Sequence, residues 1–446
     1  MTIDTTKSLP TVRSPGFKFL LIVILTVAMA VPLFLIQLAL SDREQTAAGA
    51  ATDIAAGWGG PQIVAGPVLL VPYSVQRQNL VNGQTVQVEQ SFTAMLLPEN
   101  LNVNVQATSG TRWRGIFEVP VYKAAIGMHA TFDKDGMAAL LPSDAKAQWD
   151  QARIAIRVSD AHGLADNVVL NANGRAVPFE SGVDVDDARF SGIQVRAGLS
   201  GPAALTLDTK FTLRGSREFS ISPLGRRTTA TVQSDWNSPS FFGAFLPTDR
   251  ELTKDGFKAS WTVPYLARGF GQSFVSANNQ MELLQQPAFG ARFYQPVDHY
   301  QLVQRSLKYA ILFVALAFLV FFVVETVSPQ RLHAVQYALV GSAQVLFYLL
   351  LLSLSEHIGF ALSYLIAAAA TVILTSLYAS SVLASRARAV ALLVVLSALY
   401  GLLYVILNAE DYALLIGSGL LFSALAATMY VTRRINWYAL TATTVG

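Results

Sequence analysis

The sequence predicts a membrane protein of mixed class. An N-terminal signal-anchor helix leads to a large, mostly antiparallel β domain outside the membrane, and a five-helix transmembrane bundle closes the chain. Charged residues make up only 14% of the 446 positions, against about 25% in soluble domains. The deficit is uneven. Residues 17–40 and 309–432 are nearly devoid of charge, whereas 41–306 read like a soluble protein. That middle region is a series of short apolar runs between turn formers, the texture of β structure.

Each element follows in chain order. A helix crossing about 30 Å of hydrocarbon needs about 20 apolar residues. Residues 1–18 form a tail ending in Lys18, and Phe19–Leu40 supplies the first span, interrupted only by Pro32 and Gln37. The apolar core of a cleaved signal peptide is about 7–15 residues, so this longer run reads as an uncleaved anchor. SDREQTAAGAATDIAA, residues 41–56, continues it as helix into the 41–306 domain. Five further spans fall within 308–432, at about 309–325, 334–354, 358–384, 389–407 and 412–431, and residues 433–446 form a second tail.

Basic residues set the orientation, because short cytoplasmic loops carry the Lys and Arg excess. Lys18, Arg331, Arg386, Arg388, Arg433 and Arg434 all fall on alternate loops of one side, while SEHIG and NAEDY carry none. Both termini are therefore expected in the cytoplasm and 41–306 outside, in the periplasm of a Gram-negative bacterium.

The external domain, at roughly 265 residues, is long enough to bury a core. In Thr206–Leu213, Leu207, Phe211 and Leu213 share one strand face, and Thr209 weakens the pattern. Asn82-Gly83 and Asn173-Gly174 signal tight hairpins, and DKDG at 133–136 suggests another turn. RGIFEVPVY (114–122) and FKASWTVPY (257–265) share an aromatic–x–Val–Pro texture that hints at internal duplication.

The chemistry-bearing residues are sparse. The chain has no cysteine, which excludes disulfides, thiolate catalysis and Cys-ligated metals. The five histidines, His129, His162, His299, His333 and His357, are scattered. No HExxH, GxSxG, SxxK or P-loop pattern occurs. Asp184, Asp186 and Asp187 fail the EF-hand spacing and read as a solvated loop, and RGFG at 268–271 reads as a turn. No catalytic, cofactor-binding or metal-binding residue is assigned, and the chain is expected to be neither an enzyme nor a nucleic-acid binder. Inside the bundle, Gln336, Gln344, Ser363, Tyr364, Thr371 and Ser376 read as helix–helix hydrogen-bonding groups. Ala367–Ala370, Gly417 and Gly419 read as close-packing positions. No charge lies mid-span, and Glu325 falls beside an interface.

Two candidate sites remain. Glu356 and His357 interrupt an apolar stretch. A carboxylate at the bilayer centre would cost about 2.5–3.5 kcal/mol, so the pair is placed in an external turn, on the same face as Glu410 and Asp411. The four are either simple acidic loops or a polar rim site. The second candidate is NSPSFFGAFLPTDR (237–250), whose Phe241, Phe242 and Phe245 offer a partner-binding loop or else fold into the core.

At this level of detail the layout resembles the CreD family of inner-membrane proteins. The resemblance is carried by GGPQIVAGPVLLVPY (59–73), RGIFEVPVY, the stretch FTLRGSREFSISPLGRRTTATVQSDW beginning at Phe211, VDHYQLVQRSLKYAILFVALAF (297–318), the segment from His333 to Ala367, and EDYALLIGSGLLF (410–422). It implies an inner-membrane protein of envelope integrity and envelope stress, controlled by a two-component system, and it supplies no catalytic residues. The expected function is non-enzymatic: a periplasmic domain binding a periplasmic or inner-membrane partner, coupled to a bundle in contact with membrane lipids. The alternative is a transporter or a lipid- or peptidoglycan-handling protein with a site between bundle and domain. A lipid-sized apolar cavity opening sideways among spans three to six would favour that alternative.

Overall fold

The computed structural model describes residues 15–433 except 82–83, 166–167, 187, 276–279, 294–298, 327, 329, 331, 384 and 410–411. The chain divides into two compact units: Met1–Thr46 with Val297–Gly446, and Ala47–Pro296.

The first unit is helical. Among the described residues, six helices are long and apolar enough to cross a membrane by length and composition. The first, Pro15–Trp58, runs on well past the apolar stretch, and Pro32 does not break it. Proline is tolerated in spanning helices because neighbouring groups satisfy the freed carbonyl. The other five are His299–Thr326, Ala334–Ile358, Phe360–Val382, Arg386–Asn408 and Ala413–Thr432. Gly341 of the third helix sits where three spans converge. A Cβ there would lie 2.6 Å from the Phe318 ring and 3.1 Å from the Met29 sulfur, so only glycine admits this close approach. The expectation for Gly417 and Gly419 is corrected, because a Cβ at either would meet nothing within 4 Å. Small size allows close packing but does not require it.

The second unit is β-rich, with two sheets. An eight-stranded sheet runs in the order Asp249–Thr253, Gly256–Pro264, Arg227–Ser234, Asn100–Arg114, Phe117–Phe132, Leu205–Ser216, Val169–Ala172, Arg175–Pro178. A ten-stranded sheet is built around the long strand Gln62–Val81, which pairs with Gln84–Leu96 and Arg153–Val158. Among the described residues, pairing is antiparallel except at Gln62–Val64 with Phe219–Ile221 and at Asn100–Ala107 with Arg227–Ser234. The two aromatic–x–Val–Pro stretches lie in the eight-stranded sheet, each in the outer neighbour of that second parallel pair.

Alternation explains the layering. In Asn100–Arg114, Leu101, Val103, Val105 and Ala107 are buried while the intervening Asn and Gln side chains face out, as a period of two dictates. Thr209 follows its strand's inward face and is 3% exposed. One hydrophobic core draws on both sheets, including Leu69, Ile154, Ile126, Leu213 and Trp261. Asn173 (φ 46°) and Gly174 (φ 83°) form the two-residue turn between Ala172 and Arg175, the I′ geometry that Asn-Gly favours. Asn82 and Gly83 lie outside the described residues, between the paired Val81 and Gln84. DKDG differs from its expected turn. Asp133 caps a short helix, Lys134–Ala138, by accepting from the Gly136 N–H, the role for which Asp competes at helix starts.

Candidate functional site

At one end of the helical unit, Glu356 of the third helix is not an open rim group. Its side chain is 8% exposed. It accepts a hydrogen bond from the Tyr300 hydroxyl at 2.9 Å and faces Arg43 Nε at 3.7 Å. It therefore ties the first, second and third helices together. His357 is exposed one residue on. The two do not converge, because adjacent residues on a helix point about 100° apart. Glu410 and Asp411 lie outside the described residues.

The opposite end is built around Glu325. Its carboxylate, 6% exposed, pairs with the Lys18 ammonium. It also accepts from the Leu332 N–H at 3.0 Å and the Tyr337 hydroxyl at 2.8 Å. Nearby, Arg388 donates to Ser328 at 2.7 Å and to Gln330 at 3.2 Å. Basic residues of the first and fifth helices thus gather at one end of the unit. Gln336 does not bridge helices as expected. With His333 it forms a capping box, accepting from the His333 N–H at 2.8 Å, which satisfies otherwise orphaned donors at a helix start.

Mid-helix, polar groups form a short relay. The Tyr364 hydroxyl donates to the Tyr400 carbonyl at 2.6 Å, and the Tyr400 hydroxyl donates to Gln344 Oε1 at 2.5 Å. Beside this relay a cavity of about 590 Å³ opens between the fourth and fifth helices. Tyr364, Ala368, Val372 and Tyr400 make its buried floor, and Leu365 and Ile373 are exposed on its flank.

In the β unit, polar residues are committed to local pairs. Arg292 Nε and Nη2 both donate to Glu218 Oε2, at 3.1 and 3.0 Å, and His129 Nδ1 meets Asp208 at 2.7 Å across two strands. Asp184 bonds Gln194 at 2.6 Å and has Arg153 and Arg189 at 3.7 Å, while Asp187 lies outside the described residues. Among the described residues, no group of three or more His, Asp or Glu is placed to hold a metal ion. Burial alone would raise the pKa of Asp160, but hydrogen bonds from the Gly60 N–H and from His162 hold it below the usual carboxylate range. Burial pushes the Tyr122 hydroxyl well up, and it donates to the Glu218 carbonyl at 2.8 Å. The last turn of the first helix is clasped by the sheet: Trp58 lies under Arg112 at 4.3 Å and Arg214 at 5.1 Å, and Arg114 pairs with Asp53 at 2.9 Å.

The aromatic segment differs from an exposed loop. Pro239–Gly243 is a strand paired with Phe289–Phe293. Phe241 packs edge-on against Phe257 and Trp261, Phe245 packs against Phe289, and Phe242 lies under the Arg292 guanidinium. All three are half-buried. A strand pairs its backbone and places alternate side chains on opposite faces, so Phe241 turns to the core and Phe242 away.

Sequence reasoning missed Arg268. Its RGFG setting has the composition of a turn, yet the side chain is 4% exposed. It donates to the Leu224 carbonyl, the Gln272 side chain and, at 3.3 Å, the Gly271 carbonyl.

Comparison with known proteins places this architecture. The family described as "Inner membrane protein CreD" matches residues 14–438. The chain is 35% identical over 417 residues to the Inner membrane protein CreD of Escherichia coli (strain K12), covering 92% of this chain and 91% of that protein. With that match across nearly its whole length and six helices of spanning length, the chain belongs to the CreD family of inner-membrane proteins.

Proposed function

We propose that the protein maintains envelope integrity without catalysing a reaction, its β unit standing in the periplasm and binding an envelope partner. The helical unit anchors that binding domain, with both termini in the cytoplasm. The observation that carries this reading is the gathering of Lys18 and Arg388 at one end of the helical unit, the pattern expected of a cytoplasmic face. The chain leaves the helical unit after residue 46 and re-enters it at residue 297, and the residues of that unit near those two crossings, Arg43 and Tyr300, meet at Glu356.

The test is photo-crosslinking from exposed β-unit positions such as Leu246 and Leu266, 71% and 90% exposed, in intact cells. The reading expects a discrete envelope component to be captured from at least one face. It also expects a deletion strain to leak a periplasmic marker under detergent stress, with retention of the marker restored by the full chain. A strain that leaks no more than its parent would end the proposal. Lipid handling, the second reading, is favoured by one feature, the apolar cavity between the fourth and fifth helices.

A further inference from the structure

We propose that the groove between Phe360–Val382 and Arg386–Asn408 is a binding site for one acyl chain of a glycerophospholipid, drawn from the leaflet on the Glu356 side. This deepens the lipid-handling reading by naming the ligand class, and it holds whether or not the chain is moved. The groove is carved by small residues. Ala361, Ala368 and Ala369 on one helix face Ser397 and Gly401 on the next, and a Cβ on Gly401 would meet nothing within 4 Å.

Its dimensions fit one leaflet. The lining runs from Ala361 to Ile373 on one helix and from Leu393 to Tyr404 on the other, about 18 and 17 Å at helical rise. Half of a hydrocarbon core is about 15 Å. Both stretches reach from the Glu356 end of their helices to just past the middle. The volume, about 590 Å³, lies in the range of roughly 300–1,000 Å³ typical of ligand pockets.

Its chemistry selects a hydrocarbon rather than a polar solute. The hydroxyls of Tyr364 and Tyr400 are engaged with the Tyr400 carbonyl and with Gln344, so the two residues line the groove with hydroxyls already satisfied within the protein. The remaining floor, Ala368 and Val372, is apolar. Leu365 and Ile373, 64% and 52% exposed, stand on helices whose surroundings are lipid, so the occupant comes from the bilayer itself. Tyr404, 36% exposed and with its ring 5.1 Å from that of Tyr364 and tilted by 55°, ends the groove on the Glu356 side, where a ring with a polar tip suits the headgroup boundary.

The full chain, purified in mild detergent, is titrated with 1-palmitoyl-2-oleoyl phosphatidylethanolamine and read by native mass spectrometry. The proposal expects one lipid retained well above the rest, with retention about tenfold weaker in Gly401→Leu and also in Ala369→Phe, which fills the groove from the other wall. Tyr404→Phe keeps the ring and should retain the lipid. Equal retention by the parent and both filled variants would reduce the groove to an ordinary lipid-facing surface and overturn the inference. A change from dimer to monomer in the filled variants, with no lipid in either, would make it a contact between copies and overturn it too. Envelope leakage of the same strains is a separate readout. Lost lipid with unchanged leakage would retain the site and remove lipid handling as the function.

Discussion

Replacing Glu325 with alanine is expected to destabilise the helical unit by about 3–5 kcal/mol, the cost of removing one partner from a buried ion pair. The residue is 7% exposed, and three donors converge on it: the Lys18 ammonium, the Leu332 N–H and the Tyr337 hydroxyl. Alanine removes the carboxylate from all three, and a part-buried ammonium that loses its counter-charge is the most costly of them. Glu325→Gln keeps an acceptor for Tyr337 and Leu332 but not the charge, so it should fall between wild type and alanine. The double substitution Lys18→Met, Glu325→Leu removes both charges and should be less harmful than Glu325→Ala alone. Thermal unfolding of the full chain in one detergent checks the series. If the double variant is the worst of the three, the ion pair is not what holds this end together.

The second large effect is expected in the β unit. Arg268→Ala should cost roughly 3 kcal/mol or more, since hydrogen bonds to a charged group are worth about 1.5–3 kcal/mol each and buried acceptors are left unmade. The guanidinium reaches the Leu224 carbonyl, the Gly271 carbonyl and Gln272, and lies over the rings of Tyr265 and Phe270 at 4.9 and 4.8 Å. Gln272 in turn donates to the carbonyls of Leu97 and Pro98, each at 2.7 Å. Arg268 and Gln272 together therefore join three chain segments far apart in sequence. Burial pulls its pKa down to about 10, so it remains cationic near neutral pH, and the acceptors and ring faces offset the cost of burying that charge. Arg268→Lys should recover only part of the loss, because an ammonium cannot reproduce the planar fork. Urea unfolding followed by tryptophan fluorescence measures it. A change within about 0.5 kcal/mol, the level of an ordinary surface substitution, would contradict the assignment.

What the sequence disclosed depended on whether the cause was local. A span declares itself through 20 or so consecutive apolar residues, and a strand such as Asn100–Arg114 through its period of two. The Asn173-Gly174 turn follows from the positive φ those residues tolerate. Glu356 was legible as a misfit in an apolar run, but its partners, Arg43 and Tyr300, are distant in the chain and no local pattern names them. Arg268 was hidden because glycine neighbours make any arginine look like part of a loop. The groove was hidden for a different reason. It arises only when small residues of two successive helices face each other, and the same alanine that packs closely at Ala367 borders a void at Ala369. For Phe241 and Phe245 the sequence left a partner-binding loop and a place in the core both open, and the strand pairing of Pro239–Gly243 with the packing of both rings against the core favours the second.

The orientation of the chain is the claim on which the functional reading stands, and a paired reporter assay tests it most directly. One fusion places a phosphatase active only outside the cytoplasm in the loop at Gly198–Gly201, and a second places a fluorophore that matures only inside it after Gly446. The account predicts an active phosphatase in the first and fluorescence in the second. A silent phosphatase with the insert expressed and stable, or a dark carboxyl-terminal fusion, would put the β unit in the cytoplasm and remove the envelope-binding role.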